Sequence, residues 1–274
     1  MPVPTVLVIL SLLVSAVAGG VGAMLGIGGG IFLVPFLVFA GLPFRVAVGT
    51  SLVTIIATSS AVSAGTAGRG LINLRLGMLL EVATTVGGLA GGLTAQLLST
   101  SALQTLFGIT SAGIGLIMLM RLGDRERITA AEENPGRLGG RFVDASSGRV
   151  QTYRVRRLPV ALAASLVAGN ISGLLGIGGG IVKVPVLVTW CGVPMRPAAA
   201  TSAFMLGVTA TSSAVIYYAH GDIVPVLAAA AVLGVQLGSR VGLRIGARTE
   251  ARWLRLLMTI VLFLFAALML VRAR

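Results

Sequence analysis

Two ten-residue stretches hold the residues best placed to do chemistry in an otherwise apolar chain. Residues 26–35 read G-I-G-G-G-I-F-L-V-P, and residues 176–185 read G-I-G-G-G-I-V-K-V-P. Each packs four glycines into five residues, and each glycine costs about 1 kcal/mol relative to alanine in a helix interior. The proline that follows removes a further backbone donor. Both segments are therefore expected to unwind, and unwound backbone at membrane depth is tolerated only inside protein or along a wet cavity. The freed amides of Gly28, Gly29 and Gly30, and of Gly178, Gly179 and Gly180, would form an anion-binding concavity. The half-helix behind each break aims the positive end of its dipole at the same point.

Other donors lie close by in sequence. Thr50 and Ser51, and their echoes Thr201 and Ser202, supply hydroxyls, and Lys183 supplies a full positive charge. A lysine near the bilayer centre costs at least about 2.5 kcal/mol, so Lys183 is expected to face a cavity or a bound anion. Glu81 is the one acid inside an apolar run. It is a candidate for proton coupling, with pairing to Arg75 or to a neighbouring hydroxyl as the structural alternative.

The remaining inventory excludes much. The chain has one histidine, His220, and eight acids, of which five fall between residues 121 and 157. No Ser-His-Asp set and no intramembrane carboxylate pair can be assembled, so catalysis is not expected. No soluble βαβ context surrounds the glycines, which rules out a dinucleotide fingerprint. Cys191 is the only cysteine, which excludes an internal disulfide and a thiolate metal site. No metal or other cofactor is expected. Cation transport is disfavoured because such sites need acids at depth. The formal charge of +13 could suggest nucleic acid, but the basic residues are mostly arginines at the ends of apolar runs, with no aromatic-rich basic patch. They fit cytoplasmic loops and anionic lipid better.

Composition sets the elements that must position these groups. The chain has 274 residues, 56% hydrophobic and 11% charged, with a mean hydropathy of +1.00. Soluble domains carry about 25% charged residues, so the reading is an all-α polytopic membrane protein. Long apolar runs lie near 4–24, 45–66, 72–97, 102–121, 158–175, 197–219, 222–246 and 252–272, each close to the roughly 20 residues that span a bilayer. Two shorter runs, 31–42 and 181–193, follow the glycine stretches. The first run lacks a basic leader and reads as a retained helix rather than a signal peptide.

The chain is also an internal repeat. Gly41-Leu42-Pro43 matches Gly192-Val193-Pro194, and Thr50-Ser51 matches Thr201-Ser202. Ala57-Thr58-Ser59-Ser60-Ala61 recurs as Ala210-Thr211-Ser212-Ser213-Ala214, and Gly87 and Gly91 pair with Gly238 and Gly242. This divides the chain into a first transmembrane repeat, 1–120, an arginine-rich cytoplasmic linker, 121–157, and a second repeat, 158–274. Matching loops carry opposite charge bias: Arg69 and Arg75 flank one, whereas its counterpart His220-Gly221-Asp222 has no Lys or Arg. That favours inverted repeats. Inversion would require an odd number of crossings, the glycine segment and its short partner together making one broken span. Were the short segments re-entrant, each half would cross four times and the repeats would run parallel.

Each candidate has a plain structural reading beside the functional one. Glycines permit close helix packing, the reading preferred for Gly87, Gly91, Gly238 and Gly242. Intramembrane Ser and Thr bond to their own helix, and Lys183 could snorkel to the interface. Arg45 and Arg196 read as boundary anchors, Cys191 as a small residue near a helix end, and Tyr217, Tyr218 and Trp253 as interfacial belt residues. Asn170 fits either a helix–helix bond or the site.

The doubled glycine motif, each copy followed by G-[LV]-P and then Thr-Ser, resembles the TauE/SafE family of sulfite exporters, as does Lys183-Val184-Pro185 followed by Thr201 to Ala210. The resemblance covers all but the linker. It implies a multi-pass plasma-membrane permease for small sulfur-containing anions such as sulfite or organosulfonates, moved outward. The implied partners are a small anionic substrate and the lipid bilayer; a homo-oligomer is compatible with the sequence and not required by it. The alternatives are a non-transporting membrane subunit that docks a soluble partner through the linker, and proton-coupled uptake of sulfate or thiosulfate.

Overall fold

The computed structural model describes residues 4–25, 28–66, 70–120, 134–143, 150–246 and 251–273. The first repeat folds as α1 (Thr5–Leu25), α2 (Gly30–Phe39), α3 (Phe44–Thr66), α4 (Leu74–Leu97) and α5 (Thr100–Met120). The second folds as α6 (Leu158–Leu175), α7 (Gly180–Thr189), α8 (Met195–Ala219), α9 (Pro225–Gly246) and α10 (Ala251–Ala273). Between them the linker contributes a two-stranded antiparallel hairpin, β1 (Gly140–Val143) and β2 (Val150–Tyr153), in which Gly140 pairs with Tyr153. Among the described residues, seven helices (α1, α3, α4, α5, α6, α8 and α9) are long and apolar enough to span a membrane, while the apolar part of α10 is the shorter Thr259–Ala273. The protein is an all-α multi-pass membrane protein.

Packing pairs the halves across a pseudo-two-fold axis. α1 lies along α9, and its counterpart α6 lies along α4; α3 meets its counterpart α8, and α5 meets α10. Small residues make the first two contacts possible. A Cβ on Gly238 or Gly242 would overlap the carbonyl oxygens of Ala16 and Gly20, and a Cβ on Gly87 or Gly91 those of Leu166 and Asn170. This is the close packing expected of those four glycines. Asn170 sits at this crossing through its backbone.

Chain direction follows from contacts at the two ends. Arg45, at the start of α3, donates to the carbonyls of Ala95, Gln96 and Leu98 at the end of α4, with N–O distances of 3.3, 3.0 and 2.9 Å. Gln96 donates to Asp222 ahead of α9 at 3.1 Å, and Ser101, early in α5, donates to Ala273 O at the end of α10 at 2.5 Å. At the opposite end, Asn73 N donates to Thr201 Oγ1 at 2.9 Å, and its Nδ2 to Leu138 O and Tyr153 Oη at 2.8 and 3.1 Å. That second end carries the hairpin together with Arg75, Arg141, Arg154, Arg156, Arg157 and Arg196, and is the cytoplasmic face by positive-inside bias.

The repeats are inverted, and they achieve it with re-entrant segments. After α1 the chain doubles back, so that Gly29 lies against Ala18; after α6, Gly179 lies against the equivalent Ala168. α2 then returns to the face where α1 began, and α7 returns to the cytoplasmic face, where Arg156 N donates to Cys191 O at 2.9 Å. Each re-entrant pair enters and leaves on one face and adds no net crossing. Three full spans remain per half, which is odd. Re-entrance therefore does not make the repeats parallel, because α2 cancels the passage of α1 and α7 that of α6.

Candidate functional site

The unwinding encoded by the glycines is present in both halves. Gly28 and Gly178 hold equivalent left-handed conformations, with φ of 76° and 83°, and Gly176 has φ of 66°. Such values are routine only for glycine. Gly26 and Ile27 lie outside the described residues. The two hairpin tips enter from opposite faces and meet: a Cβ on Gly30 would overlap Gly176 O, and Ser51 Oγ donates to that same carbonyl at 2.7 Å. Residues 125 positions apart are thus joined at the point where both helices break.

α2 and α7 start at this junction. Their N-cap residues, Gly29 and Gly179, make no side-chain cap bond. Phe32 N donates to Gly29 O at 3.2 Å, and Val182 N and Lys183 N donate to Gly179 O at 3.3 and 3.1 Å; the amides ahead of them have no intrahelical acceptor, and the positive ends of both helices point at the junction.

The polar side chains nearby divide into those satisfied and those left over. Thr50, Ser51, Thr201 and Ser202 are all fully buried. Ser51 is used by Gly176, and Thr201 accepts from Asn73 N, which ties it to the α4 N-terminus rather than to the breaks. Thr50 Oγ1 and Ser202 Oγ have no hydrogen-bond partner among the described residues, nor does Ser172 Oγ on the turn before Gly176.

Lys183 is the most unusual group. It is 1% exposed, in the first turn of α7, and its Nζ has no hydrogen-bond partner among the described residues. It does not snorkel. Glu81, 6% exposed on α4, lies near enough for the two charges to act on one another. Glu81 Oε1 accepts from Thr209 Oγ1 at 2.7 Å and Thr85 Oγ1 at 3.4 Å, while Oε2 has no partner. Its bonds are therefore to hydroxyls and not to Arg75, which points outward.

Several residues take roles other than those expected from sequence, and some were not anticipated. Tyr217 is not a belt residue: it is fully buried, and its hydroxyl donates to Gly173 O at 3.1 Å, just before the second break. Tyr218, one position on and so about 100° around the helix, is 74% exposed. The Trp253 side chain lies outside the described residues. Thr209 and Tyr217 carried no signal in composition or spacing. Comparing the repeats position by position would have raised Thr209, because its partner across the duplication is Ile56.

A separate cleft of about 620 Å³ opens between α3 and α9, lined by Ser60, Ala64, Gly65, Gln236, Arg240 and Arg244. Both arginines are exposed, toward the cytoplasmic end of α9.

The chain matches the model of the sulfite exporter TauE/SafE family over residues 11–269. It belongs to the TauE/SafE sulfite exporter family. It is similar to the probable membrane transporter protein YunE of Bacillus subtilis (strain 168), 28% identical over 267 residues, covering 94% of each chain. A probable membrane transporter protein of Xylella fastidiosa (strain 9a5c) is 30% identical over 218 residues, covering 77% of this chain and 75% of the relative. A shorter match, 34% over 80 residues, is to the sulfite exporter TauE/SafE family protein 3 of Arabidopsis thaliana, spanning 29% of this chain and 17% of the plant protein. No solved structure matches. As a TauE/SafE member with this architecture, the protein is a multi-pass membrane transporter.

Proposed function

We propose that the protein is a secondary carrier that exports a small sulfur-containing anion, sulfite or an organosulfonate, by alternating access. The observation that carries this reading is Lys183 Nζ, a fully buried cation at the start of an uncapped helix with no hydrogen-bond partner among the described residues. An isolated buried charge is costly unless something pairs with it. A small oxyanion would answer the lysine, the positive ends of α2 and α7, and the orphan hydroxyls of Thr50 and Ser202 together. Gly28 to Gly30 and Gly178 to Gly180 give the backbone its open conformation. Ser51 joins the two tips, and Thr201 holds α8 to the α4 N-terminus.

Glu81 completes the cycle. With the site empty, its carboxylate balances Lys183; with an anion bound, a proton on Glu81 removes the competition. Proton-linked flux is then available without an ATP motif. Expelling one negative charge from a cell negative inside also gains about 2.3 kcal/mol per 100 mV. The two tips, rooted in opposite faces, would exchange access as one half rocks against the other. The described part of the linker turns inward, through Leu138, Tyr153 and Arg156, which favours a carrier over a docking subunit.

The test is flux of radiolabelled sulfite, sulfoacetate, sulfate and thiosulfate in proteoliposomes with imposed potential and pH gradients. Export of sulfite or a sulfonate that responds to both gradients is expected. Exclusive movement of sulfate or thiosulfate inward would replace this assignment with proton-coupled uptake.

A further inference from the structure

Among the described residues, the position that mirrors the cleft between α3 and α9 on the other face is filled. The matches that pair Ser60 with Ser213 and Gly91 with Gly242 place Tyr217 opposite Ala64, Leu89 opposite Arg240 and Leu93 opposite Arg244. On the external side Tyr217 is fully buried and anchored to Gly173 O, so an aromatic ring occupies the space that Ala64 leaves open. The repeat supplies the same backbone twice; the side chains close one copy and leave the other open and cationic.

The open copy is built for an oxyanion. Arg240 and Arg244 are four residues apart on α9 and so share a face. Like charges at that spacing repel one another, and an anion between them relieves the repulsion. The guanidinium fork matches the paired oxygens of sulfite, sulfonate or phosphate groups. Gln236 Nε2 donates to Ser60 Oγ at 3.2 Å and to Ala57 O at 3.3 Å, fixing two further polar groups on the wall. Among the described residues, no acidic side chain lines the cleft.

The cleft also adjoins the first glycine break. Leu243, on its wall, packs against the small buried cluster of Ala23, Val62 and Ala203. Ala23 lies three residues before Gly26. One thin apolar layer therefore separates the arginines from the break.

We propose that this cleft is the cytoplasmic collecting site for the transported oxyanion, with Arg240 and Arg244 as its ligands and the Leu243 cluster as the inner barrier. The proposal rests on the carrier reading and adds a direction to it: the collecting site is cytoplasmic, and Tyr217 fills the equivalent external position. The same oxyanion chemistry could be met by the phosphate of an anionic lipid headgroup, and the test separates the two.

Full-length protein carrying Arg240→Gln with Arg244→Gln, and a second variant, Ala64→Tyr, which fills the cleft as Tyr217 fills its counterpart, are reconstituted in oriented vesicles. Sulfite and sulfoacetate are the probes, and vesicles are made with phosphatidylcholine alone or with added phosphatidylglycerol. Losing hydrogen bonds to a charged group corresponds to about a tenfold or larger loss of affinity. The half-saturating concentration from the cytoplasmic side should therefore rise at least tenfold in both variants and both lipids, with the external side unchanged. Equal change on both sides, or none, overturns the proposal. An effect confined to phosphatidylglycerol vesicles also overturns it and assigns the cleft to lipid. If the wild type moves no oxyanion, the carrier reading fails by itself. Calorimetric sulfite binding to detergent-solubilised wild type, at least tenfold weakened in the double variant, then still supports an anion site, whereas absent or unweakened binding rejects it.

Discussion

The two glycine breaks share a backbone and differ in what surrounds it. Around the second break stand Lys183, Glu81 and Thr209; the equivalent positions around the first are Leu33, Val232 and Ile56. α2 is GIFLVPFLVF and disappears into the main apolar core, through Ile31, Leu33, Val34, Leu37 and Val38. α7 is GIVKVPVLVT and carries a buried charge. Duplication thus produced two cradles of backbone donors, and only one gained the ionic chemistry that could couple an anion to a proton. The lesson is that in an inverted repeat the shared positions describe the scaffold, whereas the positions that break the symmetry describe the work.

The sharpest way to break the comparison is to reverse it. Leu33→Lys places an ammonium in the core of the first half with no carboxylate at the Val232 position. Uncompensated buried charge costs about 3–5 kcal/mol, so little folded protein should survive size-exclusion chromatography. A yield equal to wild type would mean that the first break is wetter than its burial indicates.

Gly30→Ala ranks next. Its Cβ would overlap Gly176 O and approach Ser51 Oγ, forcing the tips apart. A drop in thermal midpoint together with loss of flux is expected; full activity would argue against the junction as a working part.

Lys183→Met separates structure from function. Made together with Glu81→Gln, it removes both members of a buried charge pair, a replacement that is often neutral or stabilising, whereas removing one alone costs about 3–5 kcal/mol; the double variant should therefore melt near the wild-type temperature while transport falls at least tenfold. Transport at the wild-type rate by a well-folded variant takes Lys183 out of the site. Glu81→Gln alone keeps an acceptor for Thr209 but leaves buried Lys183 without its counter-charge, so the thermal midpoint should fall while the remaining flux loses its dependence on the imposed pH gradient; retention of that dependence excludes Glu81 as the coupling group.

Smallest is an effect at the mouth of the second half. Burial pushes the Cys191 thiol up, opposed by Arg157. A raised thiol pKa leaves less thiolate at neutral pH, and the residue is fully buried. Maleimide labelling should be slow at pH 7, rise as pH increases, and jump on unfolding. Rapid labelling at pH 7 would show that α7 opens toward the cytoplasm more often than its packing implies.

Much of this was legible in the chain. Four glycines in five residues cannot hold a helix against lipid, so the breaks at Gly28 and Gly178 followed from backbone conformational cost alone. Apolar run length located the spans, and matched motifs set the repeat. The function of a residue such as Gly91 followed too, because a glycine on a helix face exists to be approached.

What the linear chain left open were facts of distance. The direction of α2 and α7 depended on which neighbours received them, since a short apolar helix can cross or return with equal hydropathy. Tyr217 and Tyr218 are adjacent and chemically identical, yet one is buried against Gly173 and the other exposed; only the position of α6 decides between them. Ser51 and Gly176 meet across 125 residues, and Glu81 finds Thr209 across 128. By itself the sequence determined the membrane class, the two breaks and their donors, because these arise from local conformational preference and from burial of apolar length. The tertiary structure alone decided that the tips touch, that Lys183 is left without a hydrogen-bond partner, and that one cleft is open while its mirror is filled, because each depends on side chains brought together by packing between the two halves.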